Sequence, residues 1–206
     1  MTVHQLKPRN PRVMLKSRSK RPKPYGGERQ HLTETELSKF LKALEGSPRD
    51  YLMGLITYLH GLRVSELIGL KWADLDEKAG TLFIARVKQG LNLTHVLERD
   101  ELAKLKALRK AQDPASIFIF SNGRTKGSGQ LSRSGVFRIF GEAGRKVGIP
   151  DMHPHRLRHS TATHQANSGM DPFKLQRFMG HAAMSSTLDY VKLSTEPIKD
   201  AWKGKR

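Results

Sequence analysis

The strongest constraint on the fold is a run of apolar stripes at helical spacing that starts abruptly at residue 33 and is interrupted once by alternating segments. Thr33-x-x-Glu36 is a capping box, and Leu37, Phe40, Leu41 and Leu44 follow on one helix face. Gly46 and Pro48 stop that helix. Tyr51 to Leu59 is nearly all apolar and reads as a buried helix, broken by Gly61, with a short helix from Val64 to Gly69 behind it. Leu102, Leu105 and Leu108 mark another helix. Val136, Ile139, Phe140, Ala143 and Val147 mark a long one, closed by Gly148 and Pro150. Three shorter helices fit residues 156–168, 172–179 and 185–191. The interruption is Thr81 to Val87 and Asn92 to Leu97, which flank Lys88-Gln89-Gly90-Leu91 as a hairpin with a glycine-containing loop. Ile117 to Phe120 fits a short strand. No internal repeat is present. The pattern predicts a mostly α fold with a small antiparallel β-sheet or hairpin.

Charge then narrows the partners. The 206 residues carry 37 Lys+Arg against 19 Asp+Glu, a formal net charge of +18. Residues 1–30 alone hold nine Lys/Arg, one acid (Glu28) and four of the ten prolines. Such a segment cannot bury a core and reads as a flexible basic arm. A basic excess of this size points to nucleic acid. The absence of cysteine excludes disulfides, thiolate zinc sites and cysteine nucleophiles. No run of about 18 apolar residues offers a membrane span, and no apolar stretch follows the basic N-terminus as a secretory signal would require. The expectation is a cytoplasmic protein, associated with the nucleoid when bound to DNA.

Four segments carry candidate chemistry. Gly61-Leu62-Arg63-Val64-Ser65-Glu66-Leu67 puts an arginine at a helix start with Glu66 one turn later. His155-Arg156-Leu157-Arg158-His159 follows Pro154, and Arg158 shares a helix face with His155. Gly180-His181 ends a helix, glycine suiting the position just beyond the last turn. Tyr190 follows His181 by nine residues. Two arginines and two histidines can clamp one phosphodiester, because guanidinium offers paired donors matched to phosphate oxygens and keeps its charge. A nearby tyrosine supplies a nucleophile.

Together these segments, from about Leu32 to Leu193, resemble the tyrosine recombinase (phage integrase) family. GLRVSEL resembles its first-arginine box, HPHRLRHS its HxxR box, and MGH followed by Tyr190 its histidine-to-tyrosine box. The hairpin ARVKQGLNLTHVL resembles the lysine-bearing β-hairpin, with Lys88 in the place of the lysine. The likeness is greatest to the fimbrial phase-switch invertases and other small recombinases that lack the N-terminal core-binding domain. The resemblance implies the family's catalytic-domain fold over 31–193. It also implies a C-terminal helix or tail, 194–206, that docks on a neighbouring protomer. Tyr190 would attack the scissile phosphate and form a three-prime phosphotyrosyl bond. Arg63 and Arg158 would neutralise the non-bridging oxygens. His155 would bond the phosphate and take the Tyr190 proton, His181 would donate to a non-bridging oxygen, and Lys88 would protonate the leaving oxygen. Glu66 would orient Arg63 from behind. The phosphotyrosine conserves the bond energy, so no cofactor is implied, and the arginines supply the charge that a metal supplies elsewhere. The implied partners are double-stranded DNA, further copies of the chain assembled as a tetramer on it, and accessory DNA-bending proteins.

Each residue also has a plainer reading. Arg63 with Glu66 could be a helix-terminal ion pair, and Lys88 a solvated loop lysine. Among the four tyrosines, Tyr25 falls in the arm and Tyr51 and Tyr58 in an apolar helix, which leaves Tyr190. His155 and His159 are four apart, the spacing of a zinc pair, but no Glu lies between them and no cysteine accompanies them. His159 reads instead as a structural histidine bonded to a backbone carbonyl. Two other functions stay open: a non-catalytic basic DNA-binding or regulatory protein with this fold, and a relaxing topoisomerase of the type IB kind.

Overall fold

The computed structural model of the chain describes residues 31–86, 92–122 and 129–193. α1 (Glu34–Leu44) opens on the expected reciprocal cap: Glu36 N donates to Thr33 Oγ1 at 3.2 Å, and Thr33 N to Glu36 Oε2 at 2.7 Å. Its buried Phe40 meets Phe140 of α5 (Arg133–Lys146) edge to face, with ring centroids 5.3 Å apart. α2 (Pro48–His60) starts earlier than the apolar run suggests. Pro48 does not merely stop α1; it occupies the first turn of α2 behind the Ser47 cap, where a missing N–H costs nothing. Gly61 ends α2 at φ 58°, and a Cβ there would lie 2.6 Å from Met179 Sδ.

α3 (Val64–Gly69) and a single 3₁₀ turn (Trp72–Asp74) lead into a three-stranded antiparallel sheet: β1 (Leu75–Asp76), β2 (Thr81–Ile84) and β3 (Leu93–Val96), in that order. Leu82 sits opposite both Leu75 and His95. β1 was not legible because two residues are too few to show alternation. β2 ends before the predicted Val87: Arg86 leaves the ladder and gives its N–H to Asn92 Oδ1 at 2.9 Å. Ile117 to Phe120 forms one isolated bridge, Phe118 with Lys71, rather than a strand. Trp72 N donates to Ile117 O and Ile119 N to Leu70 O, which pins this segment beside α3 without a continuous ladder.

α4 (Arg99–Ala111) and α5 complete the main body. α6 (Pro154–Asn167) begins two residues before the predicted start, because His153 Nδ1 caps it by accepting from Arg156 N at 3.1 Å. α7 (Pro172–Met179) and α8 (Ser185–Leu193) pack on α6. The main core runs from Leu32 through Phe40, Ile56, Leu82, Leu105 and Phe140 to Leu157. A second small cluster joins Ala162, Ala166, Leu175, Met179 and Tyr190. α6 thus belongs to both. Leu32 is tied to it by a bond from its N–H to Ser160 Oγ at 2.8 Å. Among the described residues no helix is long and apolar enough to cross a membrane. The basic arm, the hairpin tip with Lys88, and the predicted tail 194–206 lie outside the described residues.

Candidate active site

The centre of the site is Glu66, whose side chain has no exposed surface. Placed in the first turn of α3, it reaches back so that Oε2 accepts from Arg63 N and Oε1 from Arg63 Nη1, both at 2.8 Å. Oε2 also accepts from Arg86 Nη1 at 2.7 Å and lies 3.8 Å from Arg158 Nη1. Glu66 is therefore in contact with Arg63, and with two further arginines as well. Arg86 was missed by sequence reasoning. A charged residue at the end of an apolar strand is ordinarily solvated, and the only local sign against that is its place beside the candidate hairpin lysine.

The arginines have a second common support, the C-terminus of α7. Phe178 O accepts from Arg86 Nη2 at 2.8 Å, Met179 O from Arg158 Nη2 at 2.7 Å, and Gly180 O from Arg63 Nη2 at 3.5 Å. These carbonyls lack partners within their own helix, and the negative end of its dipole favours cations there. Gly180 adopts φ 61°, and a Cβ would meet Arg86 Nε at 2.5 Å, so glycine is required twice over. Arg158 also donates from Nη1 to Gly61 O. Its side chain is only 3 % exposed, against 35 % for Arg63. Three guanidinium groups face one carboxylate. Burial, then the charge of Arg63, draws the Arg158 pKa down to about 9. A cluster so short of negative charge is built to receive an anion.

His155, His159 and Tyr190 form the adjoining wall. Tyr190 Oη lies 2.8 Å from His159 Nδ1, and His159 Nε2 lies 2.9 Å from His155 Nε2. This corrects the reading of His159 as a partner of a backbone carbonyl: one turn of α6 points it at α8, and its ring nitrogens meet Tyr190 and His155. His181 stacks on Tyr190, with centroids 6.2 Å apart and planes at 17°, and its Nδ1 lies 2.9 Å from Thr187 Oγ1. Burial first, then His155 and Arg158, holds His159 near pKa 4; burial, then Arg158 and Arg63, holds His181 near 4 and lowers His155. All three rings are neutral at pH 7 and can each accept or donate. Among the described residues no group of three His, Cys, Asp or Glu side chains is arranged to hold a metal ion.

The site thus brings together Arg63, Glu66, His155, Arg158, His159, His181 and Tyr190 from α3, α6, the loop after α7, and α8. Lys88 lies outside the described residues. Residues 30–196 match the phage integrase family, and the chain belongs to that family. It is 36 % identical over 171 residues to tyrosine recombinase XerA of Pyrococcus furiosus, covering 82 % of this chain and 59 % of that protein. It is 31 % identical over 185 residues to the type 1 fimbriae regulatory protein FimB of Escherichia coli, covering 85 % of this chain and 90 % of that one. Among solved structures, that of XerA recombinase superposes with a TM-score of 0.70 at 25 % identity, over 84 % of this chain and 63 % of the other. The fold is that of the tyrosine recombinase catalytic domain, mostly helical with its small antiparallel sheet.

Proposed function

We propose that this chain is a site-specific recombinase that breaks and rejoins double-stranded DNA through a phosphotyrosine at Tyr190. The observation that carries this reading is the under-neutralised arginine cluster beside a tyrosine already hydrogen-bonded to a neutral histidine. A scissile phosphate seated against Arg63 and Arg158 restores the missing negative charge. Both donors then strengthen as charge builds on the non-bridging oxygens. His181 donates to one of those oxygens from Nε2 when Thr187 donates to its Nδ1. Tyr190 Oη attacks phosphorus, and its proton passes to His159 Nδ1 while His159 Nε2–H passes to His155. The arginines that depress these histidines are the ones the phosphate neutralises, so DNA itself raises their basicity. The bridging five-prime oxygen leaves with a proton from Lys88. The free hydroxyl of a partner strand then attacks the phosphotyrosine, which reverses the chemistry and exchanges strands.

Glu66 serves from behind the arginines. The basic arm follows the phosphate backbone, and residues 194–206 link protomers into a tetramer on DNA. Accessory DNA-bending proteins can shape that assembly.

The test begins with duplexes selected by the protein from a random pool, together with any inverted repeats flanking its gene. The expected result is a covalent protein–DNA adduct on a nicked version of the selected duplex, absent in Tyr190→Phe, with recombinants that require the site. A protein that binds these duplexes without forming an adduct is a non-catalytic binder. One that relaxes any plasmid regardless of site is a topoisomerase.

A further inference from the structure

Arg86 has no exposed side-chain surface, so it cannot touch DNA, yet it shares with Arg63 and Arg158 the Glu66 carboxylate and the C-terminal end of α7. Its Nη1 holds Glu66 Oε2 at 2.7 Å and its Nη2 holds Phe178 O at 2.8 Å. Behind it runs a buried chain of polar groups that the proposed chemistry does not use. Arg86 Nη2 is 3.5 Å from His95 Nε2, His95 Nδ1 is 3.2 Å from His60 Nδ1, and His60 Nε2 is 2.9 Å from Glu101 Oε1. With both imidazoles neutral, one set of tautomers satisfies all these contacts. Arg86 donates to His95 Nε2, His95 Nδ1–H to His60 Nδ1, and His60 Nε2–H to the Glu101 carboxylate. Every donor then points away from the arginine cluster and toward one buried acid. Neutral His95 agrees with its burial, which lowers its pKa to about 3.

We propose that Arg86, braced by His95, His60 and Glu101, is the positioning residue that sets Glu66 and through it Arg63 and Arg158 for the phosphate, resting on the recombinase reading above. Arg86 spans the gap between α3 and the end of α7 with two arms of one planar group. Lysine has the same charge, but its three N–H donors sit on one nitrogen of a flexible stem, so it lacks the rigid two-nitrogen fork that reaches Glu66 and the Phe178 carbonyl together.

Arg86→Lys should slow covalent adduct formation on the selected duplex about 10- to 100-fold, the scale on which losing a partner that orients a functional group acts at metal sites, with DNA affinity largely kept. In Arg86→Ala, guanidinium ion added well below unfolding concentrations should restore part of the rate. Arg86→Lys cleaving at the wild-type rate overturns the proposal, and so does a loss of cleavage that only parallels lost DNA binding. A second measurement needs no variant and no cleavage. In ¹⁵N-arginine spectra of the free wild-type protein titrated with inorganic phosphate, Arg63 should shift and its guanidinium protons exchange quickly, while Arg86 protons stay protected. Arg86 shifting and exchanging as Arg63 does would make it a direct ligand and refute positioning. Wild type that forms no adduct refutes the recombinase reading alone, and the spectra still decide this one.

Discussion

Tyr190 Oη lies 2.8 Å from His159 Nδ1, which makes the third histidine of the HPHRLRHS segment, rather than His155, the direct partner of the proposed nucleophile. His155 stands one step further along, at 2.9 Å from His159 Nε2. This order predicts that His159→Leu slows adduct formation by about 10²-fold or more, the range for loss of a positioned base, while DNA binding persists. Rapid-quench single-turnover assays should show the deficit in the first strand cleavage. An unchanged rate would return the base to His155 or to water.

Lys88→Ala should bind DNA and fail to cleave it, if lysine protonates the leaving oxygen. Replacing the bridging five-prime oxygen with sulfur should restore cleavage, because a thiol with a pKa near about 8.5 leaves without a proton. The same substrate should not help Tyr190→Phe. If sulfur does not restore Lys88→Ala, the proton comes from elsewhere.

Acid should destabilise the fold through its histidines. His159 and His181 titrate near 4 and His95 near 3 when folded, all below the ordinary 6.5. The folded chain therefore binds fewer protons than the unfolded chain between those values. Their stabilising contribution is fully present above about pH 6.5 and is lost as pH falls toward 4, and for His95 toward 3. Thermal melts from pH 7.5 downward should show Tm falling across this window, and His159→Gln should flatten part of the slope. Equal slopes in both proteins would remove His159 from the account.

Deleting residues 1–30 removes nine cations. Binding to duplex DNA should weaken, and the log–log salt dependence should become shallower by several units, given a slope of about −0.9 per phosphate contact. Circular dichroism should show the helical signal kept. A slope that does not change would mean the arm makes no phosphate contacts.

Truncation after Leu193 removes the segment with Ile198, Ala201 and Trp202 at helical spacing. Single-site binding should survive while multimeric complexes on paired sites disappear, as read by gel shift and light scattering. Complexes that still form would place the link between protomers elsewhere.

What could be read from the chain in advance depended on sequence distance. The α1 cap, the left-handed Gly61 and Gly180, and the Arg63–Glu66 pair are settled by residues three or four apart, so they were legible. Arg63, His155, Arg158, His181 and Tyr190 could be named as candidates because each lies in a short segment with its own pattern. Their meeting place could not be read from spacing alone. Glu66 and Arg86 are 20 residues apart, Arg86 and the Phe178 carbonyl 92, and Tyr190 and His159 31. Arg86, His60, His95 and Glu101 each look like ordinary surface groups along the chain, since a local pattern carries no measure of burial. Packing α2, α4, the sheet and the end of α7 around them removes water. Once water is gone, each charge must find a partner or a carbonyl, and that requirement, imposed only by the assembled fold, turned four scattered polar residues into one line.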